Sequence, residues 1–120
     1  MSKNVENVQL AQVFREVFNA IRKYGEFQKP NGSRMGGIWS ADTYVLGDYR
    51  AMLADDGYSN ILRTADGKLN ANITFTYTSD HTINFFDGDE EVLREVAMAV
   101  MKLVGEKEKK ATEDIQHTGD

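Results

Sequence analysis

Ten consecutive residues, Leu69-Asn70-Ala71-Asn72-Ile73-Thr74-Phe75-Thr76-Tyr77-Thr78, alternate without a break between apolar and polar side chains. In an extended chain successive side chains point to opposite faces. Leu69, Ala71, Ile73, Phe75 and Tyr77 therefore share one face, and Asn70, Asn72, Thr74, Thr76 and Thr78 share the other. β-branched and aromatic residues fill the run, no Gly or Pro interrupts it, and the pair Asp66-Gly67 stands just before it. The chain must contain a strand with one face on a core and one face wet, which is the signature of an antiparallel sheet covered on one side.

The flanking segments are read from the same logic. From Asn4 to Tyr24 the residues Val5, Val8, Leu10, Val13, Phe14, Val17, Phe18, Ile21 and Tyr24 recur mostly at three and four, the stripe of an amphipathic helix. Ser2 or Asn4 would cap it, and Gly25 would end it in a left-handed conformation. Glu26 to Gly37, with three glycines and the only proline, reads as a connector. For residues 38 to 54 strands are favoured over a helix, namely Ile38-Trp39-Ser40, Tyr44-Val45-Leu46 and Tyr49 to Leu53. Gly47 would interrupt a helix, and Asp-Gly pairs at 56, 66 and 87 give turn signals between apolar runs. Tyr58 to Thr64 forms a hairpin with the central strand.

A second hairpin to His81-Thr82-Ile83-Asn84-Phe85-Phe86 must keep Ile83 and Phe85 on the apolar face. This predicts Tyr77 opposite Ile83 and Phe75 opposite Phe85, across a loop of odd length. Asp87 or Asp89 caps a last helix with the stripe Val92, Leu93, Val96, Ala97, Val100, Leu103 and Val104, which Gly105 would stop. The expected fold is α+β: an N-terminal helix, an antiparallel meander of four to five strands and a C-terminal helix. It has two layers, with both helices on one face of the sheet. Residues 1–105 make one compact domain and 106–120 a polar, flexible tail.

Composition narrows the chemistry. The chain of 120 residues holds no cysteine, which excludes disulfides, thiolate catalysis and Cys-ligated zinc. It has neither a secretory h-region nor an apolar run near the ~18 residues of a membrane span, so it is expected to be cytoplasmic. A net charge of −5 with scattered bases disfavours nucleic acid and acidic membranes and suits a protein partner with a basic surface.

Only two histidines are available as a general base. His117 lies in the tail, and His81 sits beside Ser79 and Asp80 in a turn, where adjacent residues cannot converge as a triad does. No His-x-x-x-His or Glu-x-x-His spacing offers a metal site, and Asp87-Gly88-Asp89 lacks the rest of a calcium ladder. The glycines near Lys29 and Arg34 fit neither the phosphate-loop nor the dinucleotide pattern. The chain is therefore read as not an enzyme, with no cofactor and no metal.

Surfaces remain. Asn70, Asn72, Thr74, Thr76, Thr82 and Asn84 would form a polar sheet face suited to a protein partner or a second copy of the chain. Trp39, Tyr44, Tyr49 and Tyr58, with the acids Asp55, Asp56, Asp87 and Asp89, are the candidate partner-binding residues, since Trp and Tyr are types that anchor interfaces. The expected function is that of a small non-catalytic binding protein that occupies the surface of another macromolecule. In these general features the chain resembles, by type and not by motif, phage-encoded inhibitors of host or defence proteins and toxin-immunity proteins. The alternative is a nucleotide-like ligand module in which Lys29 and Arg34 hold phosphate and Trp39 stacks on a base.

Overall fold

The computed structural model describes residues 3–28, 42–53, 59–74 and 81–118, the last eight of these as backbone alone. Its elements are β1 (Lys3–Glu6), α1 (Val8–Tyr24), β2 (Glu26–Gln28), β3 (Asp42–Leu46), β4 (Tyr49–Leu53), β5 (Ser59–Thr64), β6 (Asn70–Thr74), β7 (Thr82–Asp87) and α2 (Glu90–Thr118). The strands form one antiparallel sheet in the order β1-β7-β6-β5-β4-β3-β2. The α+β class with an antiparallel sheet is as the alternation required, but the sheet has seven strands, not four or five.

The two unforeseen strands are the edges, and their short polar sequences carry no alternation to read. What makes them strands is long-range backbone pairing, Lys3 to Glu6 against β7 and Glu26 to Gln28 against β3. Val5, placed by the pattern on the helix stripe, instead lies opposite Ile83. α1 leaves β1 at one edge and enters β2 at the other, so it must span the whole sheet. Its 17 residues give about 25 Å of helix, close to the ~29 Å covered by six inter-strand gaps.

With β1 in place, α1 starts at Val8 and its cap is Asn7, not Ser2 or Asn4: Asn7 Oδ1 accepts the backbone N–H of Leu10 at 3.0 Å. The Asn7 N–H also donates to the carbonyl of His81 at 3.0 Å, tying the helix start to the head of β7. Asn7→Ala should lower stability by about 1 kcal/mol in urea unfolding, the usual worth of a side-chain cap. A loss under a few tenths would show that the cap is redundant.

Gly25 ends α1, but its backbone is extended, with φ −87 and ψ 172, and not left-handed. Its need is for space: a Cβ there would stand 2.5 Å from the Ile21 carbonyl oxygen and 2.8 Å from that of Val45. The chain passes between helix and sheet with room for a hydrogen atom only.

From Asp42 onward the strand reading of residues 38 to 54 holds, while Ile38-Trp39-Ser40 lies outside the described residues. β3 and β4 join through Gly47-Asp48, with Leu46 opposite Tyr49 and Gly47 at φ +59, the geometry of a II′ hairpin. In the next hairpin Thr64 is the fixed point: its Oγ1 accepts the Leu69 N–H and its N–H donates to the Leu69 carbonyl, each at 3.0 Å. Asp66 takes the Lys68 N–H on its carboxylate at 3.0 Å. That bond, helped by Thr64 and the Lys68 charge, holds the exposed carboxyl below its ordinary pKa.

The β6–β7 register differs from expectation. Ile83 pairs with Ile73 and Phe85 with Ala71, with an irregularity at Asn70, rather than with Tyr77 and Phe75. Phe75 to Asp80 lie outside the described residues. The offset is four residues, an even slip that leaves every side chain on its face. Alternation fixes the parity of a pairing and not its offset.

α2 also outruns its predicted stop, continuing through Gly105 to Thr118. A glycine in a helix interior costs about 1 kcal/mol relative to alanine, and nothing lies within 4 Å of a Cβ built at Gly105. The Glu and Lys residues that follow are good helix formers, and Glu108 accepts a hydrogen bond from Tyr24 Oη of α1. The core is one cluster: Leu10, Phe14, Val17, Phe18 and Ile21 of α1 and Leu93, Val96 and Val100 of α2 close over Leu46, Ala51, Leu62, Ala71, Ile73, Ile83 and Phe85 of the sheet. Both helices therefore lie on one face.

Candidate interaction face

Alternation along each strand and the register between strands define what the other face carries. Since Leu62, Ala51 and Ala71 are paired neighbours turned to the core, their immediate neighbours along each strand turn away from it. One row then crosses all seven strands as Gln28, Thr43, Met52, Ile61, Asn72, Asn84 and Asn4. The next runs Glu26, Val45, Arg50, Arg63, Asn70. Among the described residues no helix or strand lies over these rows.

Two cross-strand side-chain hydrogen bonds join polar residues of this face. Asn84 Nδ2 donates to Asn72 Oδ1 at 2.9 Å, and Ser59 Oγ and Thr74 Oγ1 are 3.3 Å apart. The face is nonetheless not uniformly polar. Ile61 is only 6% exposed and stands outside the helix-covered core cluster, with Met52 half-buried beside it.

Arg50 and Arg63 are direct cross-strand partners, with Val45 on one flank and Asn70 on the other. Arg50 Nη1 reaches the Asp48 carbonyl oxygen at 3.4 Å, and neither guanidinium forms an ion pair among the described residues. Like charges directly opposite in antiparallel strands repel. Arg63→Glu should consequently stabilise the isolated protein, by about 0.2–1 kcal/mol, by turning repulsion into attraction with Arg50. A urea midpoint that falls in this variant would show that the pair is not under strain.

Of the residues singled out from sequence, Tyr44 and Tyr49 face the helices, not the open side. Tyr44 is half-buried against the core, its ring 5.2 Å from that of Phe27, with the Arg22 guanidinium 5.5 Å above it. Tyr49, opposite Leu46 and Thr64, also packs against the core. Asp87 ends β7 opposite Asn70 and is exposed. Asp89 acts as a cap, its Oδ1 accepting the Val92 N–H at 3.1 Å. Trp39, Tyr58, Asp55, Asp56, Lys29 and Arg34 lie outside the described residues, as does Thr76. Asn70, Asn72, Thr74, Thr82 and Asn84 belong to the face that the alternation assigned to them.

Sequence reasoning missed the centre of that face. The signal was present: in Asn60-Ile61-Leu62-Arg63 and Arg50-Ala51-Met52 the buried Leu62 and Ala51 fix the parity of their neighbours. Without the register, nothing said that the two arginines meet. Among the described residues no group of three or more His, Asp or Glu side chains is placed to hold a metal ion, and no helix is long and apolar enough to cross a membrane. No protein-family model, curated protein or solved structure matches this chain.

Proposed function

We propose that this protein is a non-catalytic binding protein that works by laying the sheet face opposite its helices on another macromolecule, in the manner of a small protein inhibitor or immunity protein. The observation that carries the reading is the composition of that face. The buried Ile61 and half-buried Met52 sit beside Arg50 and Arg63, which form no ion pair among the described residues, and within a frame of asparagine amides. Interfaces of this kind have an apolar centre, polar surroundings and Arg as a favoured anchor.

A photo-crosslinking residue in place of Asn72, on the face away from the helices, should yield a discrete adduct in the cells that produce the protein. The same residue in place of Met98, which is 76% exposed on α2, should not. Adducts from position 98 alone would overturn the reading. An adduct of twice the chain mass would make the partner a second copy.

A further inference from the structure

The geometry points to an acidic protein segment as the occupant of the sheet face away from the helices, with a carboxylate at Arg50 and Arg63 and an apolar side chain of the same segment on the half-buried Met52. This rests on the reading of that face as the working surface, and it names the partner's chemistry.

The arginines set the charge. The register sets Arg50 directly opposite Arg63, and guanidinium donor forks match a carboxylate in bidentate geometry. The chain's own acids in the row do not fill the position. Glu26 is two strands from Arg50, and Asp87, across the β6–β7 irregularity, two strands from Arg63. Their Cα atoms stand about 10 Å away, and no ion pair joins them to the arginines among the described residues. A like-charged pair that opposes its own strand pairing is relieved when an anion arrives between the two groups. Asn70, beside Arg63, adds an amide at the same spot.

The spacing sets the second contact. Met52 lies two residues along from Arg50 on its strand, roughly 7 Å away on the same face, and keeps part of its side chain exposed. An extended segment with Asp or Glu two residues from Leu, Ile or Met has the same repeat. So does a helix with the two at i and i+4, about 6 Å apart. Nucleic acid, the other polyanion, fits less well. The net charge is −5, and neither row carries an aromatic ring on which a base would stack.

The test is a selection of random short peptides displayed on phage against three immobilised proteins: the wild type, Arg50→Glu/Arg63→Glu and Met52→Asp. Each is first checked for a cooperative thermal transition. The wild type should enrich segments with Asp or Glu beside Leu, Ile or Met. A selected peptide should lose about tenfold or more in affinity for the double variant, the worth of a charge-assisted contact. The double variant should itself enrich Lys- or Arg-containing segments.

Wild-type segments without acids, lost on Met52→Asp but indifferent to the double variant, would overturn the acidic occupant and leave this sheet face standing as the binding surface. Segments indifferent to all three changes would overturn both, as would no enrichment over the bare support. Tighter binding of a single-stranded oligonucleotide than of the selected peptides, lost in the double variant, would replace the peptide by nucleic acid.

Discussion

Phe14→Ala is expected to lower the free energy of unfolding by about 3–5 kcal/mol, the range for removing a large aromatic side chain from a core that cannot close over the space. Phe14 has no exposed surface and stacks on Phe18 of the next turn of α1, ring centroids 6.4 Å apart at 12°. It sits in the middle of the one helix that crosses the sheet from edge to edge, among Leu10, Val17, Phe18 and Ile21. Collapse around the void would have to move α1, whose two ends are fixed by the Asn7 cap and by the tight passage at Gly25. The cost should therefore fall at the cavity end of the range. A small domain has about 5–15 kcal/mol in total, so the variant should unfold at a much lower urea midpoint with an unchanged slope. A midpoint shift worth less than about 1 kcal/mol would mean that helix and sheet are not pressed together at this position.

How much of this architecture a reader of the sequence can reach depends on whether the signal is local. The alternation from Leu69 to Thr78 gives the central strand and its wet face because it needs no knowledge of partners. The stripe of α1 works for the same reason, with Leu10, Phe14, Val17, Phe18 and Ile21 all buried where the spacing put them. β1 and β2 fail the same reading because three or four polar residues become strands only when β7 and β3 offer them an edge. The four-residue slip between β6 and β7 is invisible for a related reason: pattern fixes the face, and only the packed partner fixes the offset. Gly105 misled in the opposite direction, since one exposed glycine costs a long helix too little to end it.

The face away from the helices divides along the same line. Its asparagines and threonines were legible, being the wet half of an alternation. Its arginines were not, because Arg50 and Arg63 stand thirteen positions apart in the chain and acquire meaning only when the register sets them opposite each other. Their juxtaposition opposes the stability of the sheet, and a position where sequence and fold disagree is where function is expected to have intervened. Tyr44 shows the converse. Its residue type suggested an interface, yet it packs against Phe27 and the core on the helix side.

Gly88→Ala should be nearly as damaging as the loss of Phe14, at about 2–4 kcal/mol, because it combines an unfavourable backbone conformation with a collision. Gly88 links β7 to α2 at φ +85, and a Cβ there would stand 2.5 Å from the Lys68 carbonyl oxygen and 3.2 Å from Leu69 Cδ1. Lys68 and Leu69 close the β5–β6 turn, whose hydrogen bonds to Thr64 leave that carbonyl little freedom to retreat. Gly67 in the same turn supplies the control. Its φ of +78 is equally foreign to alanine, but nothing lies within 4 Å of its Cβ position. Gly67→Ala should cost about 1 kcal/mol, the conformational part alone. The difference between the two variants in urea unfolding then measures the contact between the start of α2 and the β5–β6 turn. Equal losses would mean that this corner opens to admit a methyl group, and that α2 is positioned by its packing on α1 and not by the sheet beneath its first turn.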